Sequence, residues 1–389
     1  MEKINVLMAC KLMPYYRLGV FNELSKESNK LKFYFFGDTK VQGGIKQIPF
    51  EHAKKTHPLY IRWIKTKNFF YKPERLLWQS RIINQIFKSK FQVFVFEGAI
   101  AHYPIWLYAL LCKLCGKKVM YWTHGNRGVD KGLKKNLRKI LFDYLGDGLL
   151  LYGHFQRNNM IEDGYKPNKL HVIYNSLQPK IQFEISNTLK TSELLSKKQS
   201  YFRNPENFTL IFIGRLVKHK AVFKILEAQN VLKNKHGLSV NVIFIGDGPE
   251  MGSLKQYVKN NNAEDQVYFA GSLYNEIDIA PLFMMSDLMI SPGNVGLNCI
   301  HALAYGVPVL THSNFVFQNP EVEAIVSNKT GVFYEYDNFD NMVDVLVNWI
   351  KESSQKKLIK VNCVNKIKKV YSPVNQSNLI KKAINSLYE

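Results

Sequence analysis

Short apolar segments alternate with amphipathic helical segments along most of the chain, and this alternation limits the fold more than any other feature. Residues 91–96 form an uninterrupted apolar run, as expected for a parallel strand that is covered on both faces. Similar runs begin near residues 4, 208 and 240. Strands that alternate with helices predict α/β domains, each built on a doubly wound parallel sheet.

A polar, weakly patterned segment interrupts this alternation at residues 178–207, and the pattern restarts after it. The length of 389 residues is enough for two domains of ordinary size. We therefore predict a Rossmann-like domain at 1–177, a linker at 178–207, a second Rossmann-like domain at 208–370 and a closing helix at 371–389. Helical periodicity also predicts a helix over residues 75–89.

The composition is that of a globular protein, with 46% hydrophobic and 22% charged residues. The sequence contains no apolar stretch of 18 or more residues, so it predicts no membrane-spanning helix. The N-terminus lacks the pattern of a signal peptide. We therefore expect a cytoplasmic protein. The net charge of +22 favours polyanionic partners, but a lysine-rich composition from an AT-rich genome explains it equally well.

Two cations follow the first strand of the second half. Arg215 comes directly after the strand, and Lys220 lies near the start of the next helix. Ligands of doubly wound folds bind at the carboxyl ends of the strands, and a cationic pair beside a helix N-terminus suits a diphosphate. The alternative is a pair of solvated surface charges.

A glycine-containing loop follows a later buried strand and leads into a helix. Its glycines let the backbone approach a ligand closely, and the first N–H groups of the helix are free to cradle oxygens. A turn at Gly246 allows a similar backbone contact, although chain reversal alone explains it. The residues of the loop and its helix that we assign to this site are Gly293, Asn294, Val295, Gly296, Leu297 and His301.

His124 and Glu321 are the other candidate site residues. His124 follows a strand of the first half and can hydrogen-bond a sugar hydroxyl, although a histidine at a strand end is more often structural. Glu321 and Glu323 diverge on a helix, so only one of them can face a ligand, and we prefer Glu321. A first-turn carboxylate that the helix dipole favours is an equal alternative.

Taken together, these segments resemble the GT-B glycosyltransferases, and specifically the retaining family 4. GRLVKHKA resembles that family's G-R-L-x-x-x-K-G segment, IGDGPEMGSL its I-G-x-G-P segment, and VYFAGSL, which ends at Leu273, the strand before the loop that borders the base. SPGNVGLNCIHALAYGVPVLTHSN resembles the signature that contains the family's two glutamates. Their order and spacing agree over about 120 residues, whereas the first half matches only loosely.

The resemblance implies two Rossmann-like domains that face a central cleft, the first binding the acceptor and the second a nucleotide sugar, linked to UDP or GDP. Arg215 and Lys220 would hold the diphosphate, His124 would touch the transferred sugar, and Gly246, Leu273 and the glycine loop would contact the donor. The sugar would move to a hydroxyl of a glycan or lipid-linked acceptor, with retention of configuration and without a cofactor or metal ion.

Two departures from the family pattern affect the donor and acceptor sites. Gly293 and His301 stand where the family carries glutamates that hold donor hydroxyls, so the main chain at Gly293, Glu321 or His301 would take over these roles. Many relatives have a Gly-Gly in the first loop, whereas this chain has Tyr16 and Arg17; we assign these two, with Asn126, to the acceptor side. Polysaccharide-pathway enzymes with a similar S-P-G-N-V-G-L segment indicate capsule, O-antigen or exopolysaccharide biosynthesis.

Residues 113–139 contain nine lysines or arginines and one acidic residue, Asp130. Residues 131–145, which overlap this region, form a basic amphipathic segment. It fits either an interfacial helix or a helix packed on its own sheet. We predict peripheral binding to the anionic cytoplasmic face of the membrane, where each basic residue contributes about 1 kcal/mol. The residues on its apolar stripe are Leu133, Leu137, Ile140, Leu141, Tyr144 and Leu145.

Two other functions fit parts of this pattern. A nucleotide-sugar epimerase shares the GT-B architecture, and a non-catalytic binding protein fits the basic charge and the missing glutamates. Nucleic acid is not an expected partner, because no groove-reading motif is present and aromatic residues are not interleaved with arginines.

Overall fold

The computed structural model describes residues 3–26, 28–38, 46–71, 76–99, 102–126, 128, 132–352 and 356–389. The chain divides into two compact units. The first contains residues 1–178 and 372–389, and the second contains residues 179–371. We describe each unit in turn.

The first unit is built on a parallel sheet in which seven strands lie within the described residues. Their order is β3-β2-β1-β6-β7-β8-β9, so the chain changes direction across the sheet between β1 and β6. An antiparallel pair, β4 and β5, is separate from this sheet. The strands are β1 (Ile4–Leu12), β2 (Leu31–Asp38), β3 (Trp63–Thr66), β4 (Asn68–Tyr71), β5 (Leu76–Gln79), β6 (Val93–Glu97), β7 (Lys118–Thr123), β8 (Gly148–Leu151) and β9 (Leu170–Val172).

Helices cover both faces of the first sheet, which explains why β6, β7 and β8 are apolar along almost their whole length. The helices of this unit are α1 (Leu18–Ser25), α2 (Ile82–Ile86), α3 (Tyr103–Leu114), α4 (Gly132–Leu145), α5 (His154–Glu162) and, from the end of the chain, α14 (Pro373–Asn385). Short 3₁₀ turns lie at Tyr15–Arg17, Phe50–Ala53 and Pro167–Lys169.

The second unit is built on a parallel sheet with the order β12-β11-β10-β13-β14-β15. After β12 the chain crosses to the other side of β10, so the direction of winding changes between β10 and β13. In such sheets the crevice outside this point is where ligands bind. The strands are β10 (Phe208–Ile213), β11 (Val240–Ile245), β12 (Val267–Gly271), β13 (Leu288–Ser291), β14 (Val309–His312) and β15 (Gly331–Tyr334).

Helices also pack on the second sheet, and their apolar faces form its core with the strands. The helices are α6 (Pro179–Thr188), α7 (Thr191–Tyr201), α8 (Phe223–His236), α9 (Met251–Asn260), α10 (Glu276–Met284), α11 (Asn298–Ala304), α12 (Phe339–Lys351) and α13 (Lys356–Lys369). Short 3₁₀ turns lie at Lys218–Lys220, Phe315–Phe317 and Pro320–Ala324. The structure therefore confirms the predicted pair of doubly wound α/β domains.

Two local predictions differ from the structure. The segment predicted as a linker, 178–207, forms α6 and α7 and groups with the second unit, because α6 packs against α10 and α11. The helix predicted at 75–89 is replaced by β5 and the short α2; Arg75 itself lies outside the described residues. The closing helix at the C-terminus begins at Pro373, after Ser372 caps its first turn through a hydrogen bond from the Asn375 N–H.

No helix within the described residues combines the length and apolar character needed to cross a bilayer.

Candidate functional site

A cavity of about 280 Å³ lies at the carboxyl ends of β1, β6 and β7 in the first domain. Its position matches the change of winding direction between β1 and β6, where ligands of doubly wound sheets bind. The cavity brings together three residues predicted from the sequence, Tyr16, Arg17 and His124, with two that were not predicted, Glu97 and Tyr152.

Arg17 is held on several sides at this cavity. One guanidinium nitrogen donates to Glu97 over 2.8 Å, and another donates to the Tyr152 hydroxyl over 2.9 Å. The guanidinium carbon also lies 4.7 Å from the centre of the Trp122 ring, a cation–π distance. Burial alone would lower the pKa of Arg17, but Tyr152, Tyr16 and Glu97 together raise it well above its usual value. The site therefore presents a fixed ion pair beside aromatic rings.

His124 and Asn126 have different environments. The ring of His124 is exposed, lines the cavity and lies 4.7 Å from the ring of Tyr152. Asn126, which we assigned to the acceptor side, is buried. Its amide donates to Asp163, and its oxygen accepts the Gly128 N–H at 2.9 Å. The Asn126 side chain thus connects the loop after β7 to the end of α5.

In the second domain, glycines allow the strand ends to approach one another closely. Gly246 has a φ of +136°, and a Cβ there would lie 1.9 Å from the carbonyl oxygen of Gly214. A Cβ at Gly293 would lie 2.6 Å from the His219 oxygen and 2.8 Å from the Cα of Lys220. The side chains that are missing at these two positions therefore let the turns after β10, β11 and β13 pack together.

Lys220 lies against the glycine loop, a name we use for residues 293–297. Its Nζ donates to the Asn294 carbonyl, and its own carbonyl accepts the Gly293 N–H at 3.2 Å. Partial burial lowers the pKa of Lys220. Arg215 is exposed, and its guanidinium has no hydrogen-bond partner among the described residues. Lys220 thus lies at the glycine loop, and Arg215 is exposed at the end of β10.

The amides of the glycine loop are not equivalent. The Val295 N–H is buried and donates to the Gln318 side chain at 2.9 Å, so it is not available to a ligand. By contrast, the N–H groups of Gly296, Leu297 and Asn298 donate to no acceptor within the described part of the chain. These three lie at the start of α11, where helical N–H groups have no intrahelical partner. The predicted backbone contact to an anion is therefore possible at 296–298 and excluded at 295.

His301 contacts a carboxylate that the sequence did not predict. Its Nε2 lies 3.0 and 3.1 Å from the two carboxylate oxygens of Glu276, the first residue of α10. The Tyr305 hydroxyl donates to the same carboxylate. Burial opposes ionisation of Glu276, but the hydrogen bonds from His301 and Tyr305 outweigh it and lower its pKa. His301 is therefore occupied by a carboxylate from a neighbouring helix.

Glu321 and Leu273 complete the predicted residues of this domain. Glu321 lies in the turn Pro320–Ala324, with only 3% of its surface exposed, and packs beside α11. Burial, with a smaller contribution from Glu321, raises the pKa of Cys299 well above its usual value. Leu273 is half-buried and follows β12, whose last carbonyl, at Gly271, accepts the Gly246 N–H at 2.7 Å.

Among the described residues, one group has the spacing of metal ligands: Glu51, His52 and His57, whose ligand atoms lie within 4.8 Å of one another. The Nδ1 of His57 accepts the Leu59 N–H at 3.0 Å, which in a neutral ring places the proton on Nε2. A histidine in that tautomer offers no lone pair to a metal on its other nitrogen. This group lies on the turn Phe50–Ala53 and the loop after it, not among the residues described above.

The contacts that sequence reasoning missed share one property: each joins positions far apart in the chain. Arg17 and Glu97 are 80 residues apart, Val295 and Gln318 are 23 apart, and Glu276 and His301 are 25 apart. A local pattern contains no signal for such pairs. The one usable signal was positional, since Glu97 directly ends an apolar strand.

Comparison with known proteins identifies the second domain. Residues 195–363 match the family model described as glycosyl transferases group 1. The match covers less than half of the chain, and we refer to the matched segment as the group 1 domain. It contains Lys220, the glycine loop, Glu276 and His301, so the geometry described above for the second domain belongs to the group 1 domain.

Two curated relatives match part of the chain. N-acetyl-alpha-D-glucosaminyl L-malate synthase of Bacillus anthracis is 29% identical over 191 residues, which are 48% of this chain and 46% of the relative. Alpha-monoglucosyldiacylglycerol synthase of Streptococcus pneumoniae is 27% identical over 173 residues, 42% of this chain and 37% of the relative. The matched segments thus span less than half of each of these relatives.

A solved structure matches the whole chain. The crystal structure of Anabaena Alr3699/HepE in complex with UDP has a TM-score of 0.70 and 14% sequence identity, and the match covers 99% of this chain and all of the other. At this identity the likeness shows the fold alone. It extends the GT-B fold class from the group 1 domain to the complete chain, as predicted from the sequence.

Proposed function

We propose that this protein is a glycosyltransferase that moves a sugar from a UDP- or GDP-linked donor to a hydroxyl of a glycan or lipid-linked acceptor. Retention of configuration, independence of metal ions and a role in capsule, O-antigen or exopolysaccharide biosynthesis are part of this proposal. It is supported by the match of the group 1 domain and by the two partly matching synthases, one of a glucosaminyl and one of a glucosyl product.

The observation that carries the proposal is the contact of Lys220 with the glycine loop. The partly buried Lys220 ammonium donates to the Asn294 carbonyl, and the N–H groups of residues 296–298 have no acceptor within the described part of the chain. Both features follow strands that flank the point where the second sheet changes direction. Such an arrangement stabilises a diphosphate, because cation and amides both face the charge that grows as the sugar leaves. With Arg215 accessible nearby, the charge of the leaving group is met by side chains and amides, without a metal ion.

Lys220→Ala tests this assignment, with Lys233→Ala as the control because Lys233 is exposed near the other end of α8. Ligand-induced shifts of the melting temperature should identify the nucleotide sugar that the wild type binds. We expect Lys220→Ala to weaken its binding about tenfold or more, since hydrogen bonds to charged groups contribute about 1.5–3 kcal/mol. Binding that is equal in the two variants would remove the diphosphate assignment.

Incubation of the wild type with the donor alone separates transfer from epimerisation. A transferase without acceptor releases free sugar slowly and forms no epimer, which proton NMR of the sugar shows directly. The anomeric signal of the product formed with an acceptor reports retention, and the same assay in EDTA reports metal independence. Formation of an epimer from the donor alone would favour the epimerase.

The membrane partner is supported by exposed apolar side chains on α3 and α4. Tyr103, Leu107, Leu110 and Leu114 recur at helical spacing along α3, and each is at least 45% exposed. Only part of the apolar stripe predicted on α4 is exposed. Leu133, Leu137, Ile140 and Tyr144 are exposed, whereas Leu141 and Leu145 pack against the core that contains Phe142.

These exposed side chains form what we call the α3–α4 patch, because the two helices contact each other. Lys113 and Lys135 belong to the same two helices and pair with Asp147 and Asp163. Asp130 and Lys131 lie outside the described residues. An apolar surface in a basic segment fits an anionic lipid surface, where apolar insertion and charge act together. We therefore propose that the patch docks the protein on the cytoplasmic face of the membrane, close to a lipid-linked acceptor.

A further inference from the structure

The Glu276 carboxylate is more tightly oriented than its place in the helix requires. Asn275 caps α10 by accepting the Ile277 N–H at 3.2 Å, so the helix start is already stabilised without Glu276. Asp278, in the same turn, is exposed and makes no comparable contact within the described residues. Of these two carboxylates, only that of Glu276 accepts hydrogen bonds from two side chains, His301 and Tyr305, within the described residues.

The donors themselves are fixed by packing. The ring of His301 lies 5.2 Å from that of Phe283 and 5.5 Å from that of Tyr305, and Phe283 and Tyr305 stack at 5.1 Å. His301 is only 8% exposed, yet the Glu276 side chain keeps 30% of its surface accessible. The cluster therefore holds an ionised carboxylate in one orientation and leaves one edge of it open to a ligand.

The open carboxylate is connected to the glycine loop through His301. The His301 N–H donates to the Leu297 carbonyl at 3.1 Å, so His301 lies one helical turn beyond Leu297. One turn of four residues advances about 6 Å along the axis. A diphosphate at the free amides would thus have the next group of its nucleotide, the ribose, at the level of His301 and its partner Glu276. In doubly wound folds that bind nucleotides, a carboxylate accepts a hydrogen bond from a ribose hydroxyl.

We infer that Glu276 binds the ribose hydroxyls of the donor nucleotide, and that His301 and Tyr305 are positioning residues that orient its carboxylate. The inference rests on the proposed function, since it requires a nucleotide at the glycine loop. It replaces the direct contact between His301 and the ligand that the sequence predicted, because the imidazole nitrogen that faces Glu276 is already bonded.

Calorimetric titration with a nucleoside diphosphate and its 2′,3′-dideoxy form tests the inference, using UDP and GDP in parallel. We expect the wild type to bind the ribose form about tenfold more tightly than the dideoxy form, the size of a hydrogen bond to a charged acceptor. Glu276→Ala should remove this preference, and Asp278→Ala, the matched loss of a carboxylate from the same turn, should keep it.

The positioning residues are tested by the ratio of the affinities for the ribose and dideoxy forms. Tyr305→Phe removes only one hydroxyl and should reduce the preference for the ribose form several-fold, since one donor from His301 remains. His301→Leu should reduce it further, and His301→Gln should restore part of it because the glutamine amide donates from a similar position. Melting curves of each variant show whether the second domain is folded.

The outcomes separate the inference from the proposed function. If Glu276→Ala weakens both ligand forms equally and keeps the preference, the cluster only joins α10 to α11, and the inference is wrong while nucleotide binding stands. Equal affinity of the wild type for the two ligand forms would likewise show that the inference is wrong while nucleotide binding stands. A wild type that binds neither UDP nor GDP overturns the proposed function, and the inference with it.

Discussion

Gln318 shows how a single buried side chain shapes the candidate site. Its oxygen accepts the Val295 N–H at 2.9 Å, and its nitrogen donates to the Thr311 hydroxyl at 2.9 Å and to the His312 carbonyl at 3.3 Å. Gln318 has no exposed surface, so its side chain supplies the hydrogen bonds that water would otherwise make to these three polar groups. It therefore determines which amides of the glycine loop stay free for a ligand.

Gln318→Ala is expected to lower the free energy of unfolding by about 2 kcal/mol, because a buried N–H that loses its acceptor costs about 1–3 kcal/mol. The affinity for the donor nucleotide should fall as well, since the loop would no longer be fixed. Chemical denaturation and calorimetric titration measure the two effects. Gln256→Ala, at an exposed position of α9, is the control. A stable variant with unchanged nucleotide binding would contradict the role assigned to Gln318.

His312 makes the stability of the second domain depend on pH. Burial and, to a lesser extent, Lys224 lower its pKa to about 4. In the unfolded chain a histidine takes up a proton below about pH 6.5, whereas the folded protein resists this until about pH 4. The unfolded state thus binds more protons in this window, and stability falls as the pH drops through it.

We expect His312 to account for a loss of about 2 kcal/mol of folding free energy between pH 7 and pH 5. His312→Gln should be less sensitive to pH over this range by that amount, whatever its stability at pH 7. Chemical denaturation at the two pH values measures the difference in slope. Other histidines contribute equally to both proteins and cancel. Identical slopes would show that His312 takes up its proton at the same pH in the folded protein as in the unfolded chain.

Helices and strands differ in how far the sequence predicts them. Strands such as β6 and β11 are almost entirely apolar and buried on both faces, so the sequence alone predicts their positions. The predicted linker 178–207 contains α6, whose buried residues include Pro179 and Gln182. Because the segment is polar in composition, the sequence did not indicate this packed helix. The side-chain clusters at the site were not predictable, because Glu276 and Gln318 acquire their roles from partners on other elements.

The α3–α4 patch leads to a prediction for these two helices. Leu133→Gln with Ile140→Gln should reduce binding to phosphatidylglycerol-containing vesicles about tenfold or more, because a buried Leu or Ile side chain contributes about 1.5–3 kcal/mol. Vesicle co-sedimentation measures it. A double change of Leu358 and Val361 to Gln is the matched control, since both are exposed apolar residues on a helix of the second domain.

Ionic strength separates the two contributions to this docking. Binding to anionic vesicles should weaken in high salt, because the Debye length falls to about 3 Å at 1 M. Equal binding to neutral and anionic vesicles would exclude the basic contribution. Equal binding of the two double variants would exclude the patch itself.

The path of the whole chain has a consequence for folding. After completing the second domain, the chain returns to the first, where α14 packs against α1. Ile380 and Ile384 are fully buried there in the same core cluster as β1 and β2. The Gln376 amide donates to the Tyr174 carbonyl at 2.8 Å, and the Gln376 oxygen accepts the Ser176 hydroxyl at 2.6 Å. The first domain is therefore incomplete until residues 372–389 have been made.

Deletion of residues 372–389 should unfold the first domain and leave the second domain folded. Ile380→Ala alone should cost about 2–5 kcal/mol, because it creates a cavity in the core, and a domain has about 5–15 kcal/mol of stability in total. Val374→Ala, at a position of α14 that is 51% exposed, should cost far less. Hydrogen exchange should then show protection lost in β1, β6 and β7 of the deletion variant and kept in β10, β11 and β13. Loss of protection in both sheets would mean that the two domains unfold as one unit, and protection kept in both would mean that α14 adds little to the first core.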